Sequence, residues 1–143
     1  KGFSLGAADQ FRINQYVEEF AFKYKGLSLQ EEFHWKDIED RKNGRDFELK
    51  GMYAQAGYFL NGFIPQVPKN IELAVRYAFV EQPDDSNISL TNNRDEYSVA
   101  LNYFFAGHNN KVTVDYSYLS LDDASSGRFD SVNRIRVQWD ISF

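Results

Sequence analysis

Apolar and polar residues alternate along the last segment of the chain, from Asn133 to Phe143. Side chains of a β-strand point alternately to opposite faces, so the segment predicts a strand with one apolar face and one polar face. The segment stops on an aromatic residue of the apolar face, whereas soluble domains usually end in a frayed, polar tail. The apolar positions are Ile135, Val137, Trp139, Ile141 and Phe143, and the polar positions are Arg134, Arg136, Gln138, Asp140 and Ser142.

The same pattern recurs along the rest of the chain and predicts about eight strands in a single domain, residues 1–143. At about 9 to 12 residues each, most of these strands are long enough to cross a bilayer at a tilt. The pattern therefore predicts an all-β protein, an antiparallel transmembrane β-barrel of the bacterial outer membrane. The predicted strands are 1–8, 10–24, 27–38, 47–60, 71–81, 95–105, 111–121 and 133–143.

The connections also alternate in kind. Short turns at 25–26 and 106–110 lie between longer polar loops at 39–46, 82–93 and 122–131. Short turns at one end and long loops at the other are typical of outer-membrane barrels. The connection 61–70 contains two prolines and is longer than its place on the short-turn side predicts. Closure of an eight-stranded barrel would require segment 1–8, the weakest strand signal, to pair with the last strand.

Composition supports a barrel over a helical membrane protein. Aromatic residues make up 17% of the chain, yet the mean hydropathy is only -0.55. No run approaches the roughly 18 apolar residues of a membrane-spanning helix. The net charge of -5 argues against nucleic acid as a partner, and the absence of cysteine excludes disulfides and thiolate chemistry.

Aromatic residues near the strand ends favour a membrane barrel over a soluble, lipocalin-like barrel that binds an apolar ligand inside. In an outer-membrane barrel such residues form girdles at the two membrane interfaces, with lipid around the apolar band. The soluble alternative would turn its apolar faces inward and needs no girdles. The girdle candidates are Tyr16, Tyr24, Trp35, Tyr58, Tyr77, Tyr103, Tyr118 and Trp139.

If the apolar faces meet lipid, the polar faces form the interior. Buried unpaired charge is costly, so we expect most interior charges to form ion pairs within a filled barrel; the alternative is that some line a conducting path. Arg76, Arg134 and Arg136 are the leading pore-lining candidates because guanidinium groups bind phosphate well. The predicted interior charges are Lys23, Glu32, His34, Lys36, Glu48, Lys50, Glu72, Arg76, Asp115, Arg134, Arg136 and Asp140.

Candidates for catalysis or metal binding are few. His34 has acidic neighbours, but an ordinary polar interior position accounts for it better than a metal or acid–base site. His108 lies in a sequence typical of a turn. The acidic pairs 84–85 and 122–123 fall short of the roughly six to eight oxygens that calcium needs. We therefore predict no enzyme, no metal and no cofactor.

Four stretches resemble the phosphate-selective porin O/P family: 53–60 (YAQAGYFL), 71–78 (IELAVRYA), 95–118 and 134–138 (RIRVQ). The resemblance covers most of the chain from about residue 23 onward. It implies a Gram-negative outer-membrane channel that passes anions through a lumen lined by Arg and Lys. Because such porins are larger trimers, it also implies a C-terminal half and a homo-oligomer. Phe143, Ile141 and Trp139 resemble the terminal signal that the barrel-assembly machinery recognises.

Two functions remain open. The first is a porin-like barrel for passive passage of small polar or anionic solutes such as phosphate, alone or as half of a larger pore. The second is a closed, non-conducting eight-stranded barrel that serves as a structural or engineered scaffold.

Overall fold

The computed structural model describes residues 10–81, 92–105, 110–123 and 128–142. These residues form seven strands and one short 3-10 turn, Leu60–Gly62. The strands build a single antiparallel sheet in which each strand pairs with the next in chain order. They are β1 (Phe11–Tyr24), β2 (Leu27–Asp40), β3 (Arg45–Phe59), β4 (Ile71–Glu81), β5 (Asn92–Phe104), β6 (Asn110–Asp123) and β7 (Arg128–Ile141).

The all-β class is confirmed, and seven of the predicted strands are present in the predicted order. The predicted strand 1–8 lies outside the described residues. In the part of the chain that the structure describes, no ladder joins β1 to β7. Closure with eight strands therefore stays a prediction. No helix among the described residues has both the length and the apolar character to span a membrane.

The predicted long loop 39–46 is wrong, because β2 continues to Asp40 and β3 begins at Arg45. The Asp40 carboxylate, which is almost fully buried, accepts hydrogen bonds from the backbone N–H groups of Lys42 (3.1 Å) and Asn43 (3.2 Å). The Asn43 side chain adds a third at 2.6 Å, and Gly44 adopts a positive φ of 63°. Because the Asp40 carboxylate accepts these hydrogen bonds, the chain can reverse in a short turn, and the charged residues on either side belong to the strands.

This turn predicts an acid-dependent contribution to stability. The hydrogen bonds from Asn43 hold the pKa of Asp40 below its usual range. Its contribution is therefore fully present above the unfolded-state pKa of about 3.9 and is lost as the pH falls through the lower folded-state pKa. We expect Asp40→Ala to lower the free energy of unfolding by more at pH 7 than at pH 2. Urea titrations at both values measure this, and an equal loss at both would contradict it.

The connections after β1 and β3 lie at the other end of the strands from the Asp40 turn. Lys25 and Gly26 both have positive φ, 44° and 86°, which is the type I′ geometry of a two-residue hairpin. The longer connection 60–70 is held by Asn61, whose side-chain amide donates to the carbonyl oxygens of Pro65 (3.1 Å) and Val67 (3.0 Å). The connection that is too long for a short turn is thus a compact, hydrogen-bonded segment.

Burial in this sheet is the reverse of that in a soluble domain. Among the described residues, Phe104 is the one buried hydrophobic side chain, whereas Ile135 is 76% exposed and Val137 is 69% exposed. Asp115 and Ser117, by contrast, are 4% and 0% exposed. Because burial of apolar area drives folding in water, a sheet built this way needs apolar surroundings for its exposed face.

Candidate functional site

The polar face of the sheet lines a cavity of about 690 Å³. Its lining comes from all seven strands, and Lys23 of β1 and Arg136 of β7 both contribute although these two strands are not paired. The sheet therefore curves around its polar face. We call the residues of the seven strands that point toward this cavity the polar wall.

A row of small residues crosses the middle of the polar wall and leaves the cavity open. Gly57 pairs with Ala74, and Ala74 pairs with Ala100. At Gly57 the wall is packed so closely that a Cβ atom would lie 2.6 Å from the Glu72 Oε1 and 2.8 Å from the Ser28 Oγ. The missing side chains provide the room that the neighbouring polar groups and the cavity occupy.

Next to this row, two ion pairs lie on β5, β6 and β7. Asp115 lies opposite Arg136, whose Nε donates to the Asp115 Oδ2 at 2.7 Å. One row further, the Arg134 Nη2 donates to the Glu96 Oε1 at 2.9 Å and to the Ser117 Oγ at 3.2 Å. Both guanidinium groups are thus held against the wall by carboxylates, in the pairing that the mixed charges of the interior predicted.

Arg76 differs from these two arginines. Its guanidinium carbon lies 4.6 Å from the centroid of the Tyr53 ring, a cation–π contact, and no carboxylate among the described residues forms an ion pair with it. Gln55 and Ser98 pair with it on the neighbouring strands. Arg76 is therefore the guanidinium group of the central wall that keeps its charge available to the cavity.

Glu72 is the acidic counterpart of Arg76, four residues earlier on the same strand. Its carboxylate accepts hydrogen bonds from the Asn102 amide (2.9 Å) and the Ser28 hydroxyl (3.4 Å), both neutral donors. The Thr113 hydroxyl donates to the Asn102 oxygen at 2.7 Å and extends the network to β6. Glu72 is thus fixed in orientation without a basic partner in the described wall.

The other predicted interior residues divide between the two faces. Lys36 lies on the polar wall, opposite Gln15, and Asp140 lies there opposite Lys111, with 3.6 Å between the carboxylate and ammonium groups. Lys50, predicted for the interior, lies on the apolar face instead, opposite Trp35.

The reason for this error is the sequence of β3 near its loop end. Phe47 and Leu49 suggested that the apolar face held the odd-numbered positions, but the register places Glu48 and Lys50 on the apolar side. There Lys50 pairs with Glu48 at 2.7 Å, and the Trp35 indole donates to Glu48 at the same distance. Water at the loop end of the strand solvates charges on either face, so the alternation fails as a guide there.

His34 takes part in a polar network. Its ring contacts the Glu32 carboxylate, which also accepts a hydrogen bond from the Tyr53 hydroxyl at 3.0 Å. Within the described ranges no group of three or more His, Asp or Glu side chains is placed to hold a metal ion. His108 and the pair 84–85 lie outside the described residues.

The opposite face is apolar and aromatic. On β5, Val99 and Leu101 lie between Tyr97 and Tyr103, and this apolar stretch spans about 20 Å at roughly 3.3 Å per residue. A tyrosine row continues it, because Tyr97 pairs with Tyr77 and with Tyr118 on the adjacent strands. The dimensions approach the roughly 25 Å apolar band, flanked by aromatic girdles, of outer-membrane barrels.

The apolar face also carries a shallow groove and two of the proposed assembly residues. The groove has a volume of about 710 Å³, and its lining includes Ala54, Ala56 and Glu31. Trp139 and Ile141 are exposed on the same face of β7, and the Trp139 indole donates to the Asn110 side chain at 2.9 Å. Phe143 lies outside the described residues.

Comparison with known proteins agrees with this architecture. The family model described as phosphate-selective porin O and P matches residues 4–143. The chain belongs to this family. A protein from Aquifex aeolicus (strain VF5), named as an uncharacterized protein, is 32% identical over 95 residues, 66% of this chain. The match covers 22% of that relative, so the chain spans far less than the whole length of the protein it matches. No solved structure matches the chain.

For this member of the porin O and P family, sequence patterns placed Asp115, Arg134 and Arg136 in the interior but missed other wall charges, such as Glu96 and Lys111, and the small residues. Gly57, Ala74 and Ala100 line the cavity and carry no polar group. Their signal was an alanine or glycine where the period of two requires an inward-pointing residue. The pattern singled out the charged residues Glu72 and Arg76 on either side of Ala74, because a charge marks a polar face and an alanine does not.

Proposed function

We propose that the chain forms a wall of an outer-membrane porin through which small polar solutes, including phosphate-like anions, diffuse passively. The observation that carries the proposal is the inverted sheet, with a curved polar face around a cavity and an apolar, tyrosine-flanked face outside. Membership in the porin O and P family supports it. The bacterial outer membrane supplies the lipid that such an outer face needs, and the barrel-assembly machinery would insert the strands.

The polar wall has chemistry suited to a passage. Hydroxyl, amide and charged groups replace water contacts of a passing solute, while the small central row keeps a path open. Porin-family membership favours a channel without catalytic chemistry. Arg76 is the proposed contact for anions; Arg134 and Arg136 lie on the same wall in ion pairs, and Lys36 and Glu72 lie there too.

The non-conducting scaffold is the second candidate, and the ion pairs of β5, β6 and β7 favour it. A filled interior requires paired charges, and Arg134 and Arg136 are paired. The cavity favours the channel, because Ala74 and Ala100 leave space that a filled interior would occupy with larger side chains.

Conductance of the protein in planar bilayers tests the channel directly. We expect discrete conductance steps, and we expect Ala100→Trp, which places a large ring in the cavity, to lower the conductance of each step. The matched control is Val99→Trp, on the apolar face one residue away, which should leave the step size unchanged. A protein inserted in the bilayer that gives no steps at any voltage would favour the scaffold.

A further inference from the structure

Opposite charges balance along the described polar wall. Charged side chains whose register places them inward occur in equal numbers of each sign. The basic residues are Lys23, Lys36, Arg45, Arg76, Arg94, Lys111, Arg134 and Arg136, and the acidic residues are Glu19, Glu32, Asp40, Glu72, Glu96, Asp115, Asp130 and Asp140.

The charges are also balanced locally, by ion pairs on the last three strands. Arg136 and Asp115 are 2.7 Å apart, Arg134 and Glu96 are 2.9 Å apart, and Lys111 is 3.6 Å from Asp140. Charges paired at such distances act on a passing ion as dipoles, whose field falls off faster than that of a single charge. Salt screens what remains beyond roughly 8 to 10 Å.

The unpaired groups of the wall also offset one another. Arg76 keeps a positive charge facing the cavity, and Glu72 keeps a negative charge four residues away on β4. At about 3.3 Å per residue they lie roughly 13 Å apart along the strand. A solute moving along β4 therefore meets one group of each sign.

We infer that this wall discriminates little between anions and cations, and that Asp115 and Glu96 are the specificity-determining residues that keep it so. Each carboxylate holds a guanidinium group, Arg136 or Arg134, in an ion pair and so withholds it from anions. The solutes that fit such a wall are small polar molecules of either charge or none. This inference rests on the proposed channel function and names its solute class.

The reversal potential of single channels in a KCl gradient tests the inference. We expect the unmodified protein to show similar permeabilities for K⁺ and Cl⁻. Glu96→Gln with Asp115→Asn keeps side-chain size and hydrogen-bonding oxygens but leaves both guanidinium groups without an anionic partner, so Cl⁻ permeability should rise several-fold relative to K⁺. The matched control is Glu48→Gln, which removes the carboxylate of an ion pair on the apolar face and should not move the reversal potential.

Each outcome bears on a different statement. Strong anion selectivity of the unmodified protein would overturn the inference while leaving the channel function intact. An unchanged reversal potential in the double variant would overturn the assignment to Asp115 and Glu96. Absence of conductance in inserted protein would overturn the channel function and the inference with it. Glu96→Gln alone, at a partly exposed residue, provides the same readout if the double variant fails to fold.

Discussion

Val99→Arg is expected to lower the free energy of unfolding in lipid vesicles by about 2 to 4 kcal/mol. Val99 lies in the middle of the apolar face, between Val75 and Tyr116 on the neighbouring strands. A guanidinium group at this depth must leave water or distort the bilayer around it, and neither is offset by a partner on this face. Urea unfolding of the protein in vesicles, followed by tryptophan fluorescence, measures the loss.

The control for this prediction is Phe129→Arg, at the loop end of the same apolar face. There the arginine reaches the headgroups and water, so we expect a cost of about 0 to 1 kcal/mol. Equal costs at the two positions would mean that the face does not cross a membrane at the predicted depth, and the proposed orientation would be wrong.

Asp115→Ala is expected to cost about 2 kcal/mol of unfolding free energy, because it removes the acceptor that holds Arg136 on the wall. Asp115 is almost completely buried, while the Arg136 side chain remains about half exposed. Its partial solvation limits the penalty to less than that of a fully buried pair. Denaturant titration of the variant in detergent or lipid measures the change.

A double-mutant cycle separates the ion pair from loss of packing. Asp115→Ala with Arg136→Ala should cost less than the sum of the two single variants, with a coupling free energy of about 1 to 2 kcal/mol. The pair Glu48 and Lys50, exposed on the other face, provides a comparison for which we expect a coupling below about 1 kcal/mol. Additive single effects at Asp115 and Arg136 would show that the pair contributes nothing to stability.

The strands could be predicted from the sequence because period-two alternation depends only on which side chains face which surroundings. The strand 71–81 was predicted at its observed bounds, since Ile71, Leu73 and Val75 alternate without interruption. In β3 the alternation was ambiguous near the loop end, and Lys50 was assigned to the wrong face. Where water meets both faces, the pattern carries no information about orientation.

The geometry of the polar wall depended on partners that a single strand does not reveal. That Arg136 meets Asp115 follows from the register of β6 with β7, which sequence spacing alone does not fix. The short turn after Asp40 could not be predicted for a similar reason. Its charged residues are typical of a loop, and the sequence does not show the hydrogen bonds that the Asp40 carboxylate accepts within the turn. The space beside Ala74 and Ala100 exists because their side chains are small, and the composition of the chain does not indicate where small residues face the cavity.

In the proposed orientation Val99 faces lipid, while the adjacent Ala100 faces an aqueous interior. The chain has no cysteine, so Val99→Cys and Ala100→Cys can each carry a single nitroxide label in protein reconstituted into lipid vesicles. Collision rates with oxygen, which concentrates in the bilayer, and with a water-soluble nickel chelate report the surroundings of each label. We predict that collisions with oxygen dominate at position 99 and collisions with the chelate at position 100. Equal access of the chelate to both labels, or the reverse order, would contradict it.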